Sequence, residues 1–360
     1  MDHPIKTESL SSGAAAGKDF TGPRRKFIKQ TGLTIAALTF PFPLRAFYMS
    51  TVSKKFDVII IGGSYSGLAA AMALGRALKQ VLVINSGEPC NAQTPYSHNF
   101  LTRDGSTPAG IYTVGKLQAE KYETVQFLNG FASNGKKTDK GFEIMMQTGE
   151  TFQALKLIFA TGIKDLMPAI EGFSECWGIS AIHCPYCHGY EVRGTRTGIL
   201  SNGDHAFELA KMISNWTPDL TVYTNGVSAI TAEQTALLKE NNIRIIEKQI
   251  SKLEHLAGHI RHIVFTDGTK SSLNALYAPR PFIQHCTIPE SLGCVMTQDG
   301  YIKTDPFQQT SIEGIYASGD NTSRVRTIAN AVAMGTAAGM AVSKKLILEQ
   351  FNVDNHKGSE

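Results

Sequence analysis

Two cysteines at C-x-x-C spacing, in Cys184-Pro185-Tyr186-Cys187, are followed at once by His188. These are the residues whose types and spacing point most directly to chemistry. The spacing closes a small disulfide ring, and a helix starting at the pair would lower a thiol pKa. A dithiol that cycles between reduced and oxidised forms needs a group to take and return its proton. Imidazole, with an unperturbed pKa of about 6.5, is suited to that task. An exposed turn histidine is the competing reading of His188. His183 and His285 are weaker candidates, and Arg103 and Asp104 either line the site or form a turn salt bridge. A metal site is poorly supported, because one C-x-x-C gives two ligands where structural zinc takes about four. The other cysteines, Cys90, Cys176, Cys286 and Cys294, lack paired spacing and read mainly as structural.

A redox dithiol needs an electron partner, and the flanking elements describe one. Phe56–Ile61 is a β-branched run of the kind found in a buried parallel strand. It ends in Gly62-Gly63-Ser64-Tyr65-Ser66-Gly67, then an Ala-rich helix over Leu68–Leu78 and a second strand over Gln80–Asn85. Glycines in such a turn let the backbone approach a pyrophosphate, while the helix N-terminus offers it free N–H groups. The motif is imperfect, since Ser64 stands where its second glycine belongs. Asn85 occupies the end of the second strand, where a ribose-binding acid is expected, and Glu88 lies just beyond. Leu155–Ala160 is a strand leading into Thr161-Gly162. Gly314–Ser318 is another, ending in Gly319-Asp320. Asp320 at a strand end can accept hydrogen bonds from polyol hydroxyls. A small-residue helix follows over Ile328–Leu346.

Between these parts lies a second strand, turn, helix and strand: Thr197–Ser201, Asn202–Ala206, Phe207–Asn215 and Leu220–Thr224. Its turn carries one glycine, Gly203. Thr224-Asn225-Gly226 then offers neither an acid for a ribose nor a base for a 2′-phosphate. The expected fold is α/β, with two Rossmann-like nucleotide-binding domains, the second degenerate and inserted into the first. The boundaries are 54–166 and 284–350 for the outer domain and 167–283 for the insertion.

Composition fits this frame. Of 360 residues, 42% are hydrophobic and 18% charged, an ordinary globular balance for about two domains. The formal charge of +4 comes entirely from the first 48 residues, which hold seven basic and three acidic side chains; residues 49–360 hold 28 of each. A nucleic-acid footprint is therefore unsupported. No run reaches the ~18 uninterrupted apolar residues of a membrane span. The leader 1–48 contains Arg24-Arg25-Lys26-Phe27 before a short apolar run, which resembles a twin-arginine (Tat) export signal. A cytoplasmic protein starting at Met49 is the alternative.

Taken in order, Gly62–Gly67, Ala160-Thr161-Gly162, Cys184-x-x-Cys187, the inserted nucleotide fold and Gly319-Asp320 resemble the low-molecular-weight thioredoxin reductases. The similarity covers about 290 residues. Cys184-Pro185-Tyr186-Cys187-His188-Gly189-Tyr190-Glu191 resembles more closely a divergent branch that includes fungal dithiol oxidases of the gliotoxin and holomycin type. The resemblance implies FAD, with Gly62, Gly63, Ser64, Gly67, Asn85, Thr161, Gly162, Gly319 and Asp320 around it and Arg326, Thr327 and Ile328 against the flavin. It implies catalysis by Cys184, Cys187 and His188, with Cys187 nearer the flavin, and a homodimer. The reductases carry a full glycine turn and a basic cluster for NADPH; this chain has neither, so NAD(P)H use is unsupported. The favoured activity is a dithiol oxidase passing electrons from thiols through FAD to dioxygen. An NAD(P)H-dependent disulfide reductase and a flavin protein with a non-catalytic C-x-x-C stay open. The thiol substrate is a small molecule or a protein.

Overall fold

The computed structural model describes residues 54–357; the leader, with its twin arginine, lies outside them. The first sheet begins with β1 (Lys54–Ile61), α1 (Tyr65–Arg76), β2 (Val81–Asn85), α2 (Pro108–Ala119) and β3 (Val125–Asn129). A hairpin of β4 (Ala132–Thr138) and β5 (Gly141–Met146) leads to the long β6 (Thr151–Phe159). The strand order is β3-β2-β1-β6-β5-β4. The β1–β2, β2–β3 and β1–β6 pairs are parallel.

The register of β1 shows why this run is a strand. Val58 and Ile60 point into one core with Leu68, Leu74 and Val342, while Ile59 and Ile61 point into the other with Phe142 and Phe159. A strand buried on both faces reads as a continuous β-branched run, as this one does.

The chain leaves this sheet through β7 (Ile163–Asp165), passes α3 (Phe173–Cys176), β8 (Ala181–Ile182) and α4 (Pro185–His188), and builds a second sheet. Its parts are β9 (Thr197–Leu200), α5 (Gly203–Ile213), β10 (Leu220–Tyr223), α6 (Ala232–Glu240) and β11 (Arg244–Ile246). After an antiparallel trio, β12 (Ile250–Leu256), β13 (His259–Phe265) and β14 (Lys270–Ser272), the strand β15 (Ala275–Tyr277) completes it. Its order is β11-β10-β9-β15-β8, all parallel. The chain returns through β16 (Phe282–Gln284), which pairs antiparallel with β7. Then come α7 (Ile288–Ser291), β17 (Ile315–Ala317) and α8 (Ile328–Lys357). Because β17 pairs parallel with the C-terminal end of β6, the insertion closes back on the sheet it left.

Most strands start or end within a few residues of the positions expected from sequence; β6 begins four residues earlier, at Thr151. The helices differ more. The first starts at Tyr65, inside the glycine turn, and the last runs to Lys357. Within α8, Ile328–Asn352 is long and apolar enough to cross a membrane by length and composition. One face of it is nevertheless core, with Ala338, Val342 and Leu346 buried. The small residues serve close packing: a Cβ on Gly335 would sit 2.0 Å from the Ser66 oxygen, and one on Gly339 2.7 Å from that of Ala70. That contact with α1 carries the start of α8 to the mouth of the first glycine turn.

Candidate redox site

The first glycine turn opens on a cavity of about 600 Å³, within the usual range for small-molecule and cofactor sites. Gly62 has φ +101°, and a Cβ there would lie 2.2 Å from the Ala160 oxygen, so the turn tolerates glycine alone. Gly63 donates its N–H to the Asn85 side chain at 3.3 Å. Asn85 in turn donates to the Tyr112 hydroxyl at 3.2 Å, fixing the end of β2. Ser64 is the N-cap of α1 but makes no side-chain cap. The first N–H groups of α1 are therefore free to meet an anion. Gly67 does not line the cavity; its missing Cβ would fall 1.9 Å from the Gly62 oxygen, so it serves turn–helix packing.

From the far side of the sheet come Thr161, Gly162, Gly319 and Asp320, and from the α8 entry Arg326, Thr327 and Ile328; all line the cavity. Asp320 is deeply set, and burial, opposed by Arg326, raises its carboxyl to about 6. Its contacts are long, 3.7 Å to Arg326 Nε and 3.9 Å to the Cys90 thiol. The carboxylate thus retains acceptor capacity on the cavity wall, which suits hydroxyl donors.

Sequence reading missed Asp165. It sits on β7 and takes both terminal nitrogens of Arg326, at 2.8 and 2.7 Å, with side chains 4% and 12% exposed. No motif announces it; only the fold brings β7 beside the α8 entry. The sequence reads Cys90 as mainly structural; the fold puts it on the cavity wall, where part of its surface is open. Burial, with Asp320 adjoining, pushes its thiol up to about 11, so it stays protonated.

Cys184 and Cys187 form a disulfide, with Cα atoms 5.3 Å apart. Cys184 is the N-cap of α4 and Cys187 lies in its single turn. Cys187 and His188 line the cavity, whereas Cys184 does not. Burial lowers the His188 pKa, with Glu191 opposing and His98 reinforcing the shift. His183 stacks on Trp177 at 5.8 Å, and burial, reinforced by Arg326, takes its pKa to about 3, so it is neutral. His285 lines the cavity near Glu88, 3.9 Å from its carboxylate. Asp104 reaches His98 at 3.7 Å, while no ion pair involves Arg103 among the described residues.

The turn between β9 and α5 contrasts with the first. Asn202 accepts from the N–H groups of Gly203 at 2.8 Å and Ala229 at 2.7 Å, and donates to the Val227 oxygen at 2.9 Å. Its side chain therefore fastens the turn to the loop after β10. Asp204 puts a carboxylate in the first turn of α5, where a phosphate would need positive potential. This turn is thus tied down by a side chain and acidic at its helix start, where the first turn is uncapped and free of acids.

A doubly nucleotide-folded chain with a disulfide at the wall of an anion-ready cavity defines a flavin–disulfide oxidoreductase. Residues 56–335 match the family model of pyridine nucleotide-disulphide oxidoreductases, and the chain belongs to that family. It is 33% identical over 315 residues to thioredoxin reductase tcpT of Claviceps purpurea, spanning 84% of this chain and 97% of that one. The crystal structure of an oxidoreductase from Agrobacterium tumefaciens is 36% identical with a TM-score of 0.77, covering 82% of this chain and 99% of that one. The crystal structure of HlmI is 27% identical with a TM-score of 0.80, covering 85% and 96%. The protein is thus a thioredoxin reductase-like enzyme with two Rossmann-type domains. FAD is the cofactor of this family, and the uncapped α1, the Gly62 cradle and the unfilled Asp320 acceptors fit it.

Proposed function

We propose that the protein is an FAD-dependent dithiol oxidase with no pyridine-nucleotide step. The contrast between the two turns carries this reading: one is open to a cavity, while the other is fastened by Asn202 and made acidic by Asp204. Bound FAD would take two electrons from the enzyme dithiol and pass them to dioxygen, giving hydrogen peroxide. Gly62, Gly63, Ser64 and Asn85 would hold its nucleotide half, with Gly67 shaping the turn. Thr161, Gly162, Gly319, Asp320, Arg326, Thr327 and Ile328 would line the remainder.

The chain's own steps follow from placement. A substrate thiolate attacks the disulfide at Cys184, the cysteine outside the cavity, and Cys187 leaves as thiolate beside His188. The neighbouring imidazole, having taken the proton of the first substrate thiol, returns it to this thiolate. The second substrate thiolate then attacks the mixed disulfide, releasing oxidised substrate and the enzyme dithiol. Atoms balance as R(SH)₂ + O₂ → RS₂ + H₂O₂. Anaerobic titration tests the reading: a dithiol should bleach the flavin, and NADPH or NADH should not. The names of the relatives favour the rival, a thioredoxin reductase, for which the opposite result is expected.

Three further assignments belong to this proposal. The division at 54–166, 167–283 and 284–350 is supported by the strands between 181 and 277 forming sheets of their own apart from the first. Homodimerisation is supported by the exposed Met340, Ile347, Leu348 and Phe351 on α8, which a second copy would cover. Export rests on Arg24-Arg25 in the leader, and replacing both with lysine should abolish it.

A further inference from the structure

The redox turn has an outer side as well as a cavity side. Cys187 and His188 line the cavity, whereas Cys184, Tyr186 and Tyr190 do not. Gly189 N–H to the Pro185 oxygen at 2.7 Å and Val192 N–H to the His188 oxygen at 3.4 Å carry helix-like bonding past α4. Tyr186 and Tyr190, four apart on such a turn, therefore share one side of it. They are 65% and 67% exposed, beside a partly exposed Cys184. A single exposed ring needs no explanation, but two together beside the attacked cysteine, rimmed by charge, mark a place for a ligand.

Both rings are held. Trp216 packs behind the turn, where a Cβ on Gly189 would fall 2.9 Å from its indole nitrogen. Tyr186 meets that indole edge-on, with centroids 5.7 Å apart at 89°. The Arg193 guanidinium lies over the Tyr190 ring, 3.8 Å from its centroid, and donates to the Tyr190 carbonyl oxygen. Rings held in place lose little freedom when a ligand stacks on them. Arg193 forms no ion pair among the described residues, and Glu191 faces His98 at 3.5 Å instead. Gly194 N–H to the Trp216 oxygen at 2.8 Å joins this stretch to Trp216–Asp219. There Asp219 is shared by Arg196 at 3.0 Å and Arg244 at 2.7 Å. Along this edge the cations Arg193, Arg196 and Arg244 thus have one carboxylate, Asp219, between them.

We propose that Tyr186, Tyr190 and Arg193 determine specificity in the exchange step, selecting a small thiol substrate that carries a carboxylate and a flat apolar group. The proposal rests on the reading that thiol–disulfide exchange at Cys184–Cys187 is the chemistry. The flat group stacks on the tyrosines and the carboxylate pairs with Arg193, which brings the substrate sulfur to Cys184. Two rings and one guanidinium make a patch well short of the ~800 Å² per partner of a protein interface, which favours a small occupant.

Capture of Cys184 tests this without turnover. In the FAD-loaded full chain carrying Cys187→Ser, the Cys184 thiolate attacks an aromatic disulfide and one ring leaves as a thiolate, whose absorbance gives the rate. The reagent 5,5′-dithiobis(2-nitrobenzoate) is anionic, and 4,4′-dithiodipyridine is neutral. Adding Arg193→Glu should cut the rate ratio of the first to the second about tenfold, while Arg193→Lys should keep most of it. With Arg193 in place, the same ratio should fall as salt is raised. Tyr186→Ala should slow both aromatic reagents about threefold relative to methyl methanethiosulfonate, which has no ring, and Tyr186→Phe should not. Ratios that stay put in Arg193→Glu and Tyr186→Ala would overturn the proposal, as would equal slowing of every reagent. With Cys187 intact, the kcat/KM ratio of dihydrolipoate to dihydrolipoamide, which differ only in the carboxylate, should drop likewise in Arg193→Glu. No oxygen uptake with either dithiol would defeat the oxidase reading alone, since the capture ratios still decide the roles of Arg193 and Tyr186.

Discussion

Asp165 grips Arg326 with both carboxylate oxygens at the cavity wall, 161 residues away in sequence. Breaking a buried pair from one side strands the other charge, at roughly 3–5 kcal/mol. Asp165→Asn should therefore destabilise the protein strongly in urea unfolding. The double change Asp165→Asn with Arg326→Met should recover much of that loss, but not flavin affinity, since the Arg326 wall is then gone.

Asp320 carries a pH signature. Its carboxyl is raised to about 6 in the folded protein, above the unfolded value of about 3.9. The folded state holds the proton more tightly, so ionisation above pH 6 opposes folding. Apoprotein carrying Asp320→Asn should thus be more stable than wild type at pH 7.5, by on the order of 2 kcal/mol. The difference should vanish as pH falls through 6 to below 4. Saturating FAD should reverse the order, because only the carboxylate accepts from several hydroxyls. Denaturation curves at pH 4 and 7.5, with and without FAD, check both halves.

Gly62→Ala places a methyl against the Ala160 carbonyl at φ +101°. The turn must shift, costing about 1–3 kcal/mol and opening the cradle. The purified variant should retain far less flavin per chain, read as absorbance near 450 nm against protein.

The two cysteines should part company. In Cys187→Ser, Cys184 remains on the outer side of the cavity and should accumulate a mixed disulfide with a thiol reagent. In Cys184→Ser, Cys187 should label more slowly once FAD fills the cavity. Both variants should lose thiol turnover at least about a hundredfold, with unchanged flavin content. Mass spectrometry and flavin absorbance measure these.

Much of this was legible in the sequence because local signals agreed. The β-branched run of β1, the glycine turn and the alanine helix are each decided by nearby residues, and the C-x-x-C spacing is itself local. Gly67 is legible as a required glycine, because close turn–helix packing and ligand approach demand the same residue. Asp165, Cys90 and the His98–Glu191 contact were not legible as site features. Each owes its role to long-range closure: β7 beside the α8 entry, the loop after β2 beside Asp320, and the 97–106 loop beside the C-x-x-C turn. The fastening of the second turn was half legible. Its missing glycines showed, but not that Asn202 spends its side chain on Ala229 and Val227.

The most direct test of the oxidase reading is oxygen uptake by the FAD-loaded protein given a dithiol and no pyridine nucleotide. We expect one dioxygen consumed and one hydrogen peroxide formed per disulfide made, with no acceleration by NADPH. Turnover that requires NADPH or NADH, with no uptake from dithiol alone, would contradict it.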